Sequence, residues 1–177
     1  MPLSADDIRS GFSALAMELA RRGEQAEMAI AGGAALVLLF NARQTTKDVD
    51  AYFLAPEASS IRQAVTQVAG ELGLPADWLN DGAKGYFVGV SDGEILYDSP
   101  SLVIRTVSTP QLLAMKLAAW RDAIDRADAR LLLLQMQGSA AEIWKAIEPF
   151  VPRHEIDKAS YALDDLWDSA YGPTRSR

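Results

Sequence analysis

Two aspartates two residues apart, Asp48 and Asp50, have the spacing in this sequence that points most directly to chemistry. They open an alternating stretch that runs to Leu54, which predicts a β-strand beginning at Asp48. Residues two apart on a strand point the same way, so both carboxylates share one face while Val49 and Ala51 face the opposite layer. Two close like charges repel unless a cation lies between them, and oxygen ligands suit Mg²⁺. The pair therefore predicts a Mg²⁺ site, with two solvated acids on an edge strand as the alternative.

A glycine pair, Gly32-Gly33, precedes these aspartates. It separates a short buried strand, predicted over residues 28–31, from an apolar helix over residues 34–40. Glycines at the start of a helix leave backbone N–H groups accessible at the positive end of the helix dipole, where phosphate binds. A close helix–strand approach that tolerates no side chain is the other interpretation, and both can hold together. A phosphate pocket followed by a carboxylate pair is what metal-assisted phosphoryl or nucleotidyl transfer needs.

The elements that must position these residues form an α/β pattern. The periodicity predicts a first helix capped by Ser4 and Asp7 and a second helix over residues 57–72. Three strands are predicted to follow, over residues 86–90, 94–97 and 102–107. The rest of the chain is predicted to be helical, from Thr109 through Gln135, over 140–147 and over 154–167. We expect a mixed β-sheet flanked by helices over residues 1–108. A C-terminal helical part over residues 109–171 packs on this core as one compact domain, and residues 172–177 form a frayed tail.

Composition narrows the class of protein. The chain has 177 residues, 49% of them hydrophobic, no cysteine and a single histidine. These counts allow one well-packed domain and predict neither a thiolate metal site nor a Ser-His-Asp relay. No apolar run reaches the roughly 18–20 residues of a membrane span, and the N-terminus lacks the basic region of a signal peptide, so we expect a cytoplasmic protein. The net charge of −7 argues against indiscriminate binding to nucleic acid.

The glycine pair followed by Asp48-Val49-Asp50 resembles the signature of the DNA polymerase beta nucleotidyltransferase superfamily. The wider pattern, GGAALVL and then RQTTKDVD, looks like its small bacterial branch related to the AbiEii abortive-infection toxins and other toxin–antitoxin nucleotidyltransferases. A second block, LLAMKLAA, is followed by Arg121, Asp125, Asp128 and a run of leucines, and it is similar to a helical segment of that branch. The two blocks together cover residues 28–134.

The resemblance implies a nucleotidyltransferase-like fold and an activity. Asp48 and Asp50 would hold a catalytic Mg²⁺, with Mn²⁺ as the alternative, and Lys116 would be a further catalytic residue in contact with nucleotide phosphates. The substrate would be an NTP, whose NMP is transferred to a hydroxyl of RNA, a protein or a small molecule. A cognate antitoxin or other partner protein is implied as well, while the oligomeric state stays open and no membrane partner is expected.

Further polar residues are candidates for binding the nucleotide. Arg43 and Thr46 precede the carboxylate strand, where they neutralise phosphate charge or orient Asp48, or else simply form a polar turn. Lys116 and Arg121 are predicted on the two flanks of an apolar helical stripe formed by Leu113, Leu117, Trp120 and Ile124. Solvated flanks, with an intrahelical ladder of Arg121, Asp125 and Asp128, are the alternative for these two.

One departure from the superfamily pattern concerns the base. A third carboxylate on a later strand commonly activates the attacking hydroxyl in the superfamily, but residues 102–107 contain no acid. Asp125 or Asp128 of the helical segment could supply this third carboxylate instead. The rival hypothesis is a catalytically degenerate nucleotidyltransferase fold that serves as a nucleotide-binding or partner-binding module, and a hydrolase using the same metal pair is a third.

Overall fold

The computed structural model describes residues 1–55 and 58–172, with the backbone alone for Ala55 and Ala58. The chain divides into two compact units, the first formed by residues 1–85 and 92–107, the second by residues 86–91 and the chain from Ser108 onward. The described residues contain seven α-helices, a five-stranded mixed sheet and a small two-stranded sheet. This confirms the α/β class predicted from the sequence. None of the described helices combines the length and the apolar character needed to cross a bilayer.

The first unit is built around the five-stranded sheet. Its elements are β1 (Leu3–Ser4), α1 (Ala5–Arg22), β2 (Ala26–Ala31), α2 (Gly32–Phe40), β3 (Thr45–Thr46), β4 (Val49–Ala55), α3 (Ala58–Leu72), β5 (Leu79–Asn80), a 3₁₀ turn (Gly82–Tyr86), β6 (Ile95–Asp98) and β7 (Leu102–Thr106). The strand order is β5-β4-β2-β7-β6, and β1 pairs separately with β3. Strand β2 is antiparallel to β4 and parallel to β7, so the sheet is mixed.

One face of this sheet forms the core of the unit. Met28, Ile30, Val49 and Ala51 point into a single hydrophobic cluster with residues of α1, α2 and α3. Residues paired across neighbouring strands share a face, and the register pairs Ala31 with Asp50. The alternation along β4 therefore places Asp50 on the face opposite to the core.

The helices of the first unit start and stop largely where the sequence predicts. Helix α1 begins with the capping box of Ser4 and Asp7 and ends at Gly23, whose φ is 71°. The apolar spacing in α3 predicts that Ile61, Val65, Val68 and Leu72 point inward. Ile61 and the two valines are buried, which confirms this part of the prediction. The prediction for Leu72 is wrong, since 44% of it is exposed. It is the last residue of α3 and lies at the turn out of the helix.

The part of the second unit that follows Ser108 is built from helices. It contains α4 (Thr109–Ala119), α5 (Ala123–Leu134), α6 (Ala140–Ile147), two 3₁₀ turns (Glu148–Phe150 and Arg153–Glu155) and α7 (Ile156–Tyr171). Helix α4 contacts α5, α6 and α7, so it is the central helix of the unit. Of the predicted frayed tail, residues 173–177 lie outside the described residues.

The predicted strand over residues 86–90 is wrong, and a buried glutamine explains why. The Gln111 side chain accepts a hydrogen bond from the Ser91 backbone N–H at 2.8 Å and donates one to the Gly89 carbonyl at 3.0 Å. These side-chain bonds take backbone groups that a strand would offer to a neighbour. The pair Thr109-Pro110 predicts a helix capped by Thr109, which is wrong, because the Ser108 side chain accepts from the Gln111 N–H and Thr109 is already helical.

Two glycines provide a matched test of packing in the first unit. A Cβ on Gly11 would lie 2.6 Å from Cη2 of the fully buried Trp78, whereas a Cβ on Gly70 would meet nothing within 4 Å. We expect Gly11→Ala to lower the free energy of unfolding by about 1–3 kcal/mol through overpacking. Gly70→Ala should raise it by about 0.5–1 kcal/mol, because alanine favours the helix. Urea denaturation checks both, and equal effects of the two substitutions would contradict this packing.

Candidate functional site

The turn from β2 into α2 forms the centre of the site. Gly32 has φ 65°, in the left-handed region that favours glycine, and a Cβ there would lie 2.6 Å from Oδ2 of Asp50. Backbone conformation and the neighbouring carboxylate thus both exclude a side chain at this position. The N-cap residue Ala31 supplies no side-chain hydrogen bond to the helix start. The N-terminal N–H groups of α2 are therefore not capped by its own N-cap residue.

The two predicted metal ligands lie at the start of β4. Asp50 pairs in register with Ala31, the last residue of β2, and Asp48 lies one residue before β4. Both are partly exposed, whereas Val49 and Ala51 are fully buried. This alternation places the two aspartates away from the core.

The loop before β4 brings two further predicted residues to the start of α2. A Cβ on Gly33 would lie 2.5 Å from Oγ1 of Thr46 and 3.0 Å from Nη2 of Arg43. Pairing of β3 with β1 fixes this loop, with Thr46 opposite Leu3. The Thr46 hydroxyl also donates to the Asp48 carbonyl at 3.2 Å. The structure thus brings the side chains of Arg43, Thr46 and Asp50 to the glycine pair.

The neighbouring strand β5 adds an amide to these polar side chains. Asn80 on β5 pairs in register with Asp50, so the two side chains lie on the same face of the sheet. The Asn80 Oδ1 atom accepts from the Gly82 N–H at 2.8 Å. Lys84 follows on the 3₁₀ turn, with its Nζ 5.9 Å from the centroid of the Tyr52 ring. A two-residue strand shows no periodicity, so no sequence signal identifies β5.

Strand β7 contributes a cation to this face of the sheet. Ala29 of β2 is in register with both Tyr52 and Arg105, which places Arg105 on the same face as Asp50. Its Nη1 atom lies 3.1 Å from both Glu27 Oε1 and Asp92 Oδ1. Strand β7 therefore presents an arginine on this face, in an ion pair with two acids.

The predicted phosphate ligand Lys116 belongs to the second unit, where it forms part of a buried ion cluster. Its Nζ atom lies 3.0 Å from Oδ1 of Asp125 and 2.7 Å from Oδ2 of Asp128. Both aspartates are buried, and the lysine side chain is 13% exposed. Arg121 donates to Asp125 from its backbone N–H and from Nε, although its own side chain is 75% exposed. These contacts give the cluster a net charge near zero.

A helix break separates Lys116 from Arg121, so the predicted continuous apolar stripe is wrong. Trp120 ends α4 in the left-handed region with φ 39°, and Asp122 caps the start of α5 through the N–H groups of Ile124 and Asp125. As a result, Ile124 is 57% exposed. The ladder predicted within one helix also differs, since Lys116 bridges Asp125 and Asp128 from the preceding helix.

The pKa of Asp125 reflects this environment. Burial raises the pKa of the carboxyl, but the hydrogen bonds from Arg121 and Lys116 outweigh burial and hold the pKa below its usual 3.8. A lowered pKa in the folded state means that ionised Asp125 stabilises the fold at pH values above the unfolded-state pKa. That stabilisation is lost as the pH falls through the folded-state pKa.

Lys116→Met tests the ion cluster. We expect it to lower the free energy of unfolding by about 3–5 kcal/mol at neutral pH, because it leaves two carboxylates buried without their ammonium partner. The loss should shrink as the pH falls through the folded-state pKa of Asp125, because its carboxyl then loses its charge. Arg121→Ala serves as the exposed control, with an expected cost of about 1 kcal/mol or less. Urea denaturation at pH 7 and pH 3 measures both, and equal costs for the two variants would contradict the cluster.

The described part of the chain limits the kind of metal site that it can form. Within residues 1–55 and 58–172, no group of three or more His, Cys, Asp or Glu residues is arranged to hold a metal ion. Asp48 and Asp50 therefore offer two protein ligands, and other oxygen atoms would have to complete a coordination sphere.

No protein family, curated protein or solved structure compared with this chain gives a match.

Proposed function

We propose that this protein binds a nucleoside triphosphate at the start of α2 and transfers its NMP group to a hydroxyl acceptor. The observation that carries the proposal is the contact between the glycine pair and Asp50. A carboxylate lies against the positive end of a helix whose first residue has no room for a side chain. An anion-binding backbone and a metal-binding carboxylate at one turn are the two groups that nucleotidyl transfer requires.

The phosphate-binding part of the proposal rests on Gly32, Gly33 and Arg43. The N–H groups at the start of α2 supply partial positive charge, and the dipole favours an anion there. The Arg43 guanidinium reaches the same place, close to the position that a side chain on Gly33 would occupy. Thr46 fixes the loop that carries Arg43, so its role is to position this side chain rather than to react.

The donor set fits a hard divalent cation. Asp48 and Asp50 offer only oxygen ligands and are partly exposed, so phosphate oxygens and water have access to complete the coordination. These two residues would hold Mg²⁺, with Mn²⁺ as the alternative. When bound, the ion would supply charge neutralisation and polarisation at the phosphates.

The proposed transfer is a single substitution at the α-phosphorus. The acceptor oxygen forms a bond to the α-phosphorus, the bond from that phosphorus to the bridging oxygen of the β-phosphate breaks, and pyrophosphate leaves with the electron pair. The hydroxyl proton passes to a base. The resemblance points to RNA, a protein side chain or a small molecule as acceptor, and to a cytoplasmic toxin–antitoxin or phage-defence pair with a cognate partner protein.

A second function is favoured by Arg105. A cation paired with Glu27 and Asp92 lies on β7, where the resemblance to the superfamily would call for a third carboxylate. This arrangement favours a nucleotide-binding module that holds an NTP without transferring it and acts through a partner protein.

Nucleotide binding is tested by thermal unfolding with each of the four NTPs, with and without Mg²⁺. We expect an NTP-induced rise in Tm that requires the metal and is lost in Asp50→Asn, because the amide keeps the shape but removes the charge. The matched control is Asp98→Asn on β6, an exposed acid on an edge strand, which should leave the rise unchanged. Absence of a metal-dependent rise in the native chain would contradict the proposal.

A labelled-NTP transfer assay separates the two candidates. Label from the α-phosphate should appear on an acceptor in total RNA, in cell lysate protein or in a small-molecule pool if the chain is a transferase. Metal-dependent binding without transfer would identify the binding module. Release of labelled NMP without any labelled acceptor would instead identify a hydrolase that uses the same site.

A further inference from the structure

The segment that follows β5 is fixed beside Asp50. Asn80 is in register with Asp50 and accepts from the Gly82 N–H, which starts the 3₁₀ turn. Asp81 accepts two hydrogen bonds from Arg62 of α3, at 3.1 Å from Nε and 2.6 Å from Nη2. The 3₁₀ turn is therefore anchored to β5 through Asn80 and to α3 through Asp81, and these two anchors fix the backbone position of Lys84.

Lys84 places a positive charge on the face of the sheet that carries Asp50. Its ammonium lies over the Tyr52 ring, and Tyr52 is two residues beyond Asp50 on the same face of β4. In the described part of the chain, no carboxylate lies within salt-bridge distance of Lys84, and the adjacent Asp81 is engaged by Arg62. The side chain is exposed, so its ammonium keeps donors available for an anion.

The two positive groups are offset along β4, because the start of α2 lies beside Asp50 and the Lys84 ammonium lies over Tyr52. Two residues along a strand span roughly 7 Å, which is the offset from Asp50 to Tyr52. If one phosphate of a polyphosphate binds at the start of α2, its other phosphates can therefore extend along β4 towards the Lys84 ammonium above Tyr52. Because Asp48 and Asp50 are themselves negative, a triphosphate in this site also needs cations besides a divalent metal, and Lys84 is placed to be one.

We propose that Lys84 binds the phosphates of the nucleotide that extend beyond the glycine pair, and so makes the site prefer a nucleoside triphosphate over the monophosphate. This inference rests on the proposed function and adds a specificity determinant to the same site. The chemistry is a charge-assisted hydrogen bond from the ammonium to a non-bridging phosphate oxygen. A monophosphate at the start of α2 does not reach Lys84.

Calorimetric titration in Mg²⁺ tests this inference. The ligands are the tri-, di- and monophosphate of the nucleoside whose triphosphate gives the largest Tm shift. We expect Lys84→Gln to weaken triphosphate binding about tenfold, as for one charge-assisted contact, and to change monophosphate binding less than twofold. Lys84→Arg should keep the preference for the triphosphate. Lys145→Gln, which removes an exposed lysine from α6, is the charge-matched control and should bind as the native chain does.

The outcomes distinguish this inference from the function on which it rests. Unchanged triphosphate affinity in Lys84→Gln, together with lost affinity in Asp50→Asn, overturns the role of Lys84 and leaves the nucleotide site standing. Equal weakening of all three ligands in Lys84→Gln also overturns it, because the lysine would then act on the site as a whole. A native chain that binds none of the three ligands overturns both proposals.

Discussion

The candidate site depends on one backbone constraint, the reversal of the chain at Gly32 within contact distance of Asp50. A residue with a side chain would have to adopt an unfavourable φ and at the same time displace the carboxylate. The glycine lets β2 run directly into α2 with no intervening loop. The positive end of the helix is thereby brought against the strand that carries the acid. The proposed phosphate-binding and metal-binding groups thereby become neighbours without an intervening loop.

The sheet then sorts side chains between its two faces. Strands β2 and β4 present Met28, Ile30, Val49 and Ala51 to the helices, and this face accounts for the packing of the first unit. The opposite face carries charged side chains, namely Asp50 on β4 and Arg105 on β7, and the Lys84 ammonium lies over Tyr52 on the same face. Register matters more than sequence distance here, because Asn80 and Asp50 are 30 positions apart in the sequence yet directly paired. The order β5-β4-β2-β7 determines which polar groups become neighbours.

The sequence predicts those parts of the fold that local physics decides. The capping box of α1, the buried positions of α3 and the alternation around Asp50 follow from spacing, because each depends on neighbours within a few residues. Sequence reasoning fails where a distant group decides the outcome. Residues 86–90 have the composition of a strand, but the Gln111 side chain takes the backbone groups of Gly89 and Ser91. The break at Trp120 is likewise hidden, since nothing in its neighbours requires a left-handed tryptophan.

Comparison of the two acidic sites shows why a pair of aspartates does not by itself indicate chemistry. Asp125 and Asp128 are more buried than Asp50, and each has an oxygen within hydrogen-bond distance of the Lys116 ammonium. A ligand that took Lys116 from them would deprive two buried carboxylates of the ammonium that they share, at a cost of about 3–5 kcal/mol. Lys116 therefore contributes to phosphate binding only if another cation replaces it. Asp48 and Asp50 are instead partly exposed beside the start of α2, so water and phosphate oxygens have access to them. This difference in exposure, rather than the number of acids, makes the first unit the candidate site.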